Sequence, residues 1–100
     1  MKEISAIELR EKITNKETMV VDFFATWCGP CKMLSEQLSN IETDIPIYKV
    51  DVEEDSELSI SMGIRSVPAL KFIKEGEVVA TTIGLKSAKE VNTLITESLL

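Results

Sequence analysis

Met19-Val20-Val21-Asp22-Phe23-Phe24-Ala25-Thr26-Trp27-Cys28-Gly29-Pro30-Cys31-Lys32 is the stretch whose reading decides the fold. Its first seven residues are apolar everywhere except Asp22, which fits a central strand covered on both faces. Beyond the cysteines, Leu34, Leu38 and Ile41 recur at helical spacing. The pair Cys28 and Cys31 therefore falls where a strand ends and a helix opens. In that position one thiol is activated by the helix terminus and a second waits to resolve the disulfide it forms. Dithiol–disulfide exchange is the chemistry the motif points to.

Outward from this stretch the chain alternates strands and helices. Lys2 to Ile4 suits a short edge strand, and Ser5-Ala6-Ile7-Glu8 is a capping box opening a helix to about Asn15, with Ala6, Leu9 and Ile13 on one face. Ile45 to Val52 is strand-like, with Tyr48, Val50 and Val52 sharing a face. Glu53-Glu54-Asp55 then places negative charge on the first turn of a short helix ending near Met62, where the helix dipole favours it. After Pro68, Ala69–Ile73 and Val78–Ile83 flank Glu75-Gly76-Glu77 and predict an antiparallel hairpin. Ser87-Ala88-Lys89-Glu90 is a second capping box, and Val91, Leu94, Ile95 and Leu99 form the buried stripe of the last helix. The expected class is α/β: one domain over residues 1–100, its central mixed β-sheet parallel in the first half, ending in an antiparallel hairpin and flanked by helices on both faces.

Composition sets the surroundings. One hundred residues, 44% hydrophobic, suit one core. A net charge of −6 without clustered Lys and Arg argues against nucleic acid. No run approaches the ~18 apolar residues of a membrane span, and Met1-Lys2-Glu3 lacks the apolar stretch of a secretory signal. A cytoplasmic protein that engages no membrane is expected. Two cysteines are too few for the framework of a small secreted domain, although a lone structural disulfide remains an alternative. Zinc needs four ligands, and with no histidine or third cysteine only a site shared between two chains would supply them.

Four segments in order resemble the thioredoxin family over nearly the whole length: Val21-Asp22-Phe23 leading to Trp27-Cys28-Gly29-Pro30-Cys31-Lys32, Lys49-Val50-Asp51, Gly63-Ile64-Arg65-Ser66-Val67-Pro68, and Gly84 after the hairpin. Two positions depart from the family pattern. Phe24 stands where a second tryptophan is frequent, and Glu36 where a helix-kinking proline is usual.

The resemblance implies a thioredoxin fold and a protein-disulfide oxidoreductase. Cys28 would be the nucleophile and Cys31 the resolving thiol. Their redox-active disulfide would be the only redox group, with no bound cofactor and no metal. A thioredoxin reductase would supply the electrons, and disulfide-containing proteins would receive them. A monomer is the default for this fold. Unpaired N–H groups and the dipole of a helix N-terminus stabilise an anion by about 1 to 2 kcal/mol, so the Cys28 thiol should ionise below its ordinary range. Added acidity also costs intrinsic nucleophilicity. More of the advantage should come from Cys31 attacking intramolecularly.

Asp22, buried in its strand, should hold its proton to higher pH and exchange it with Cys31; an edge strand would instead leave it solvated. Lys49 matches the family lysine that approaches this aspartate, although a lone strand lysine is more often a solvated charge. Pro68 corresponds to the cis-proline beside the disulfide, and Val67 before it to the residue that offers backbone groups to substrate. Trp27, Gly29, Pro30, Ile64, Val67, Gly84 and Leu85 would complete an apolar, uncharged substrate-binding patch. Gly29-Pro30 between the cysteines goes with reductases in the family, against an oxidant or isomerase. A binding module using the same patch, its cysteines incidental, is the alternative from another class.

Overall fold

The computed structural model describes residues 1–100 in the order β1 (Lys2–Glu3), α1 (Ala6–Thr14), β2 (Met19–Phe24), α2 (Gly29–Ser39), β3 (Ile47–Asp51), α3 (Ser56–Ser61), β4 (Ala69–Lys74), β5 (Glu77–Ile83) and α4 (Ala88–Leu99). The strands form one sheet in the order β1-β3-β2-β4-β5. β3 runs parallel to both β1 and β2, whereas β4 is antiparallel to β2 and to β5. This is the expected mixed sheet, with β2 in its centre.

All six residues of β2 are buried, because both faces of the sheet are covered. Side chains alternate across a strand, so Met19, Val21 and Phe23 join Leu9 of α1 and Leu58 of α3 in one core. Val20 joins Leu34 and Leu38 of α2 and Val91, Ile95 and Leu99 of α4 in the other. Asp22 lies on the second face, between Val20 and Phe24.

Several boundaries differ from the sequence reading; β1 stops at Glu3 and β3 at Asp51, each one residue early. β3 begins at Ile47, after Pro46, which has no N–H to give to a ladder. α3 begins at Ser56, so Glu53 and Glu54 precede it. Asp55 is its N-cap, accepting the Leu58 N–H at 3.0 Å, and Glu57 is the acid in the first turn. Capping needs extended backbone at Asp55 (φ −147°, ψ 96°), which an interior helical position would not permit. The hairpin turn is shorter than expected, since Glu77 is already in β5. At the helix starts, Ser87 and Glu90 form both bonds of the capping box, while at Ser5 the observed bond is from Glu8 N–H to its hydroxyl, 3.1 Å.

The two turn residues, Glu75 and Gly76, both have positive φ, 50° and 82°, the requirement of the turn that best matches strand twist. Gly76 also packs on the end of α1, where an added Cβ would lie 2.7 Å from the Ile13 carbonyl oxygen. Gly76→Ala therefore combines backbone strain with a backbone clash. It should destabilise the fold by about 3 kcal/mol, measured as a lower midpoint in urea.

Candidate active site

β2 runs out at Phe24, and the next residues turn the chain into α2. Cys28 N–H bonds the Ala25 carbonyl at 3.2 Å, fixing that turn. Cys28 is the N-cap of α2, with extended backbone at φ −90°, ψ 111°. Its Sγ takes the place of the usual capping oxygen, accepting the N–H of Cys31 at 3.2 Å. Pro30, inside the first turn, removes one N–H that would otherwise need a partner. Cys28 and Cys31 are joined by a disulfide, with their Cα atoms 5.3 Å apart.

Both cysteines are buried, at 4% and 3% exposure, so accessibility does not distinguish them. The hydrogen bond does. The Cys28 sulfur sits at the open end of the helix and receives a backbone N–H, the geometry that stabilises a thiolate there. Around the pair, Phe24 and Ala25 complete a small apolar cluster, with Val52 and Val67 packed against it.

Asp22 is fully buried and neither carboxylate oxygen has a hydrogen-bond partner. Burial pushes its pKa from 3.8 up to about 7, against a smaller downward pull from the Lys49 charge. Lys49 is the register partner of Asp22 across the parallel β2–β3 pair. Its ammonium does not close an ion pair with the carboxylate; Nζ lies over the Phe24 ring, 4.2 Å from the centroid. Phe24 thus offers this lysine a cation–π partner. Phe24, Cys31, Lys32, Glu36 and Lys49 line a cleft of about 440 Å³ on this flank of the disulfide. Glu36 is exposed there, within an uninterrupted helical stretch.

On the other flank Trp27, Val52, Ile60, Ile64 and Val67 line a groove of about 420 Å³, with Arg65 also in its wall. Trp27 is 71% exposed and so does not belong to the core. The Val67–Pro68 peptide is cis, and Pro68 is buried. The Pro68 carbonyl accepts the Gly84 N–H at 2.8 Å, which ties the end of β5 to the start of β4. Leu85 follows, half-exposed, while Gly29 and Pro30 are exposed at the head of α2. The groove adds Val52 and Ile60 to the residues that sequence reasoning selected. The available signal for Ile60 was an apolar residue lying off the buried stripe of a short helix.

The family model described as Thioredoxin matches residues 1–97. The chain belongs to the thioredoxin family. A thioredoxin of Listeria monocytogenes is 39% identical over 89 residues, covering 85% of this chain and 86% of that protein. Among solved structures, chloroplastic thioredoxin z superposes with a TM-score of 0.86 at 32% identity, over 97% of this chain and 92% of that one. The thioredoxin of Malassezia sympodialis gives 0.84 at 34% identity, over 98% and 90%. This thioredoxin-family chain is accordingly a protein-disulfide oxidoreductase that works by dithiol–disulfide exchange. Cys28–Cys31 is its redox-active disulfide. No helix is long and apolar enough to cross a membrane.

Proposed function

We propose that this chain is a general protein-disulfide reductase and electron carrier of the cytoplasm, monomeric, recharged by a thioredoxin reductase, in which Cys28 attacks and Cys31 resolves. The observation that carries the reading is the Cys31 N–H bonded to Cys28 Sγ at the head of α2, on the sulfur that must bear charge when the pair is reduced. The Cys28 thiolate attacks a target disulfide, forming a mixed disulfide and releasing one target thiolate, which takes a proton from solvent. Cys31 then gives its proton to ionised Asp22 and attacks Cys28 Sγ. The Cys28–Cys31 bond forms, and the second target thiolate leaves and is protonated. Two electrons and two protons have passed to the target.

Asp22 suits the base role because burial holds its pKa near neutrality, where a proton acceptor is most effective at physiological pH. Lys49, half-buried beside it, limits that rise and keeps part of the carboxylate ionised. Trp27, Gly29, Pro30, Ile64, Val67, Pro68, Gly84 and Leu85 form the apolar face that receives the target. Gly29-Pro30 between the cysteines favours a reductase over an oxidant or isomerase.

Titration in glutathione buffers, followed by the fluorescence of Trp27, the single tryptophan, tests the direction of electron flow. A single two-electron transition on the reducing side of the glutathione couple is expected. A midpoint on the oxidising side would replace the reductase reading with an oxidant or isomerase. NADPH oxidation that requires both a thioredoxin reductase and this chain would establish the recharging step.

A further inference from the structure

Asp22 and Phe24 lie two residues apart on one face of β2, and Lys49 of β3 is the register partner of Asp22. One ammonium on a flexible stem therefore has two anchors within reach. The first is a carboxyl that is fully buried with neither oxygen hydrogen-bonded. The second is a ring that is only 8% exposed. With Cys28 and Cys31 joined in the disulfide, the ammonium takes the ring: Nζ is 4.2 Å from its centroid and closes no ion pair with Asp22.

That choice depends on the proton. An ionised carboxylate at position 22 would draw the lysine to itself, because a buried charge left unpaired costs far more than a ring contact contributes. Lysine over the ring is thus the arrangement that goes with a protonated Asp22. It is also the state in which the resolving step leaves the site, with the disulfide closed and the Cys31 proton on the carboxyl. Other charges stand further off. Lys49 supplies the only charge that pulls on Asp22, and the β4 neighbour of Asp22 is Leu70. From α2, Lys32 and Glu36 reach the cleft as exposed groups, while Cys31 has no proton to exchange in the disulfide.

We infer that Phe24 is a positioning residue for the resolving step, whose ring holds the Lys49 ammonium while Asp22 carries the proton from Cys31 and releases it when that proton leaves. Lysine 49 then has two places, one for each protonation state of its neighbour. As the Cys28–Cys31 bond forms, the Cys31 thiol proton passes to the carboxylate and Lys49 moves to the ring. The proton departs to water in the cleft that Cys31, Phe24 and Lys49 line, and Lys49 returns to the carboxylate. Because the ring favours the protonated arrangement, Asp22 is a stronger base than it would be beside a lysine with nowhere else to go. The inference rests on Asp22 as the acceptor of the Cys31 proton and assigns the part of Phe24 in that transfer. Tryptophan at this position would present a larger face to the same cation.

The carbon-13 shift of the Asp22 carboxyl, identified by its loss in Asp22→Asn and followed against pH in the oxidised full chain, tests this. In Phe24→Leu the midpoint should fall by about half a pH unit, the worth of a partly exposed cation–π contact. Phe24→Met fills the space more flexibly and should do the same, so a leucine variant that packs poorly leaves the test intact. Phe24→Trp should keep the midpoint at or above that of the parent. Lys49→Met should raise the midpoint, and adding Phe24→Leu to it should move the midpoint no further, since the ring then has no ammonium to hold. Equal falls with and without Lys49 would show that the ring only shields Asp22 from water, and would overturn the inference. An unchanged midpoint in Phe24→Leu and Phe24→Met, or a lowered one in Phe24→Trp, would overturn it as well. None of these titrations involves turnover. A resolving rate that keeps its pH dependence in Asp22→Asn would instead overturn the proton-acceptor reading.

Discussion

Cys28→Ser should reduce turnover of a protein disulfide to the uncatalysed background, whereas Cys31→Ser should accept the target and keep it. Serine at position 28 retains the cap, since a hydroxyl oxygen accepts the Cys31 N–H as the sulfur does now at 3.2 Å. It lacks a thiolate, and nothing at a helix terminus worth about 1 to 2 kcal/mol ionises an alcohol near neutral pH. Cys31 cannot replace it from inside the first turn, because the helix-end stabilisation is aimed at position 28. The second variant fails one step later. With Cys31 absent, the mixed disulfide on Cys28 loses an intramolecular attacker whose effective molarity reaches about 10⁵ M or more. External thiol does not match that, so a covalent adduct should accumulate and run on a non-reducing gel at the combined mass. Turnover by Cys28→Ser at more than a few per cent of the parent would refute the assignment. An adduct on Cys31 in that variant would reverse it.

The part of this site that the sequence announces is the part that is local. Burial at all six positions of Met19–Phe24 follows from an uninterrupted apolar run, and the placement of Cys28 at a helix start follows from a strand-to-helix change of period. The helix starts at Ser5 and Ser87 are likewise local, each a hydroxyl reaching an N–H three residues on. What fails is competition between neighbours. Glu53, Glu54 and Asp55 all suit a first helical turn by charge, yet Asp55 caps through its side chain while Asp51 closes a turn around Glu53 and Glu54. Three acids in a row give no means of telling which one caps.

Non-local geometry is less legible still. Lys49 meets Asp22 only because β2 and β3 pair in one particular parallel register, and its cation settles over Phe24. The groove is lined jointly by α3 and the loop carrying Trp27, which are far apart in sequence. An exposed isoleucine on a six-residue helix acquires meaning only once Val52 and Val67 are seen to share the disulfide cluster. The departure at Glu36 reads differently in sequence and in space. By sequence it is a missing helix kink; in the fold it places a carboxylate in the cleft that also holds Cys31 and Lys49.

Asp22→Asn should make the oxidised protein more stable above neutral pH while slowing the resolving step. The carboxyl is fully buried without a hydrogen-bond partner, and burial raises its pKa from 3.8 to about 7. In the unfolded chain it ionises near its ordinary value. Between those two pH values the folded protein holds a proton that the unfolded chain has released. Stability attributable to this group is therefore complete below about pH 4, declines as pH rises through the window, and levels off above about pH 7. Asparagine keeps the size and polarity of the protonated acid but cannot ionise, so it removes the decline. The variant and parent should agree near pH 3.5, differ by about 2 kcal/mol at pH 5, and differ by about 4 kcal/mol at pH 8. Urea unfolding of the oxidised forms at those three pH values measures the gap. A constant offset across the range would mean that Asp22 is not held neutral by burial. The same substitution removes the acceptor proposed for the Cys31 proton, so the mixed disulfide should persist longer at neutral pH and lose its rate dependence on a group titrating near 7. A more stable protein that releases its target more slowly is the pairing expected of a buried carboxyl kept at a cost to the fold because the second thiol must be deprotonated.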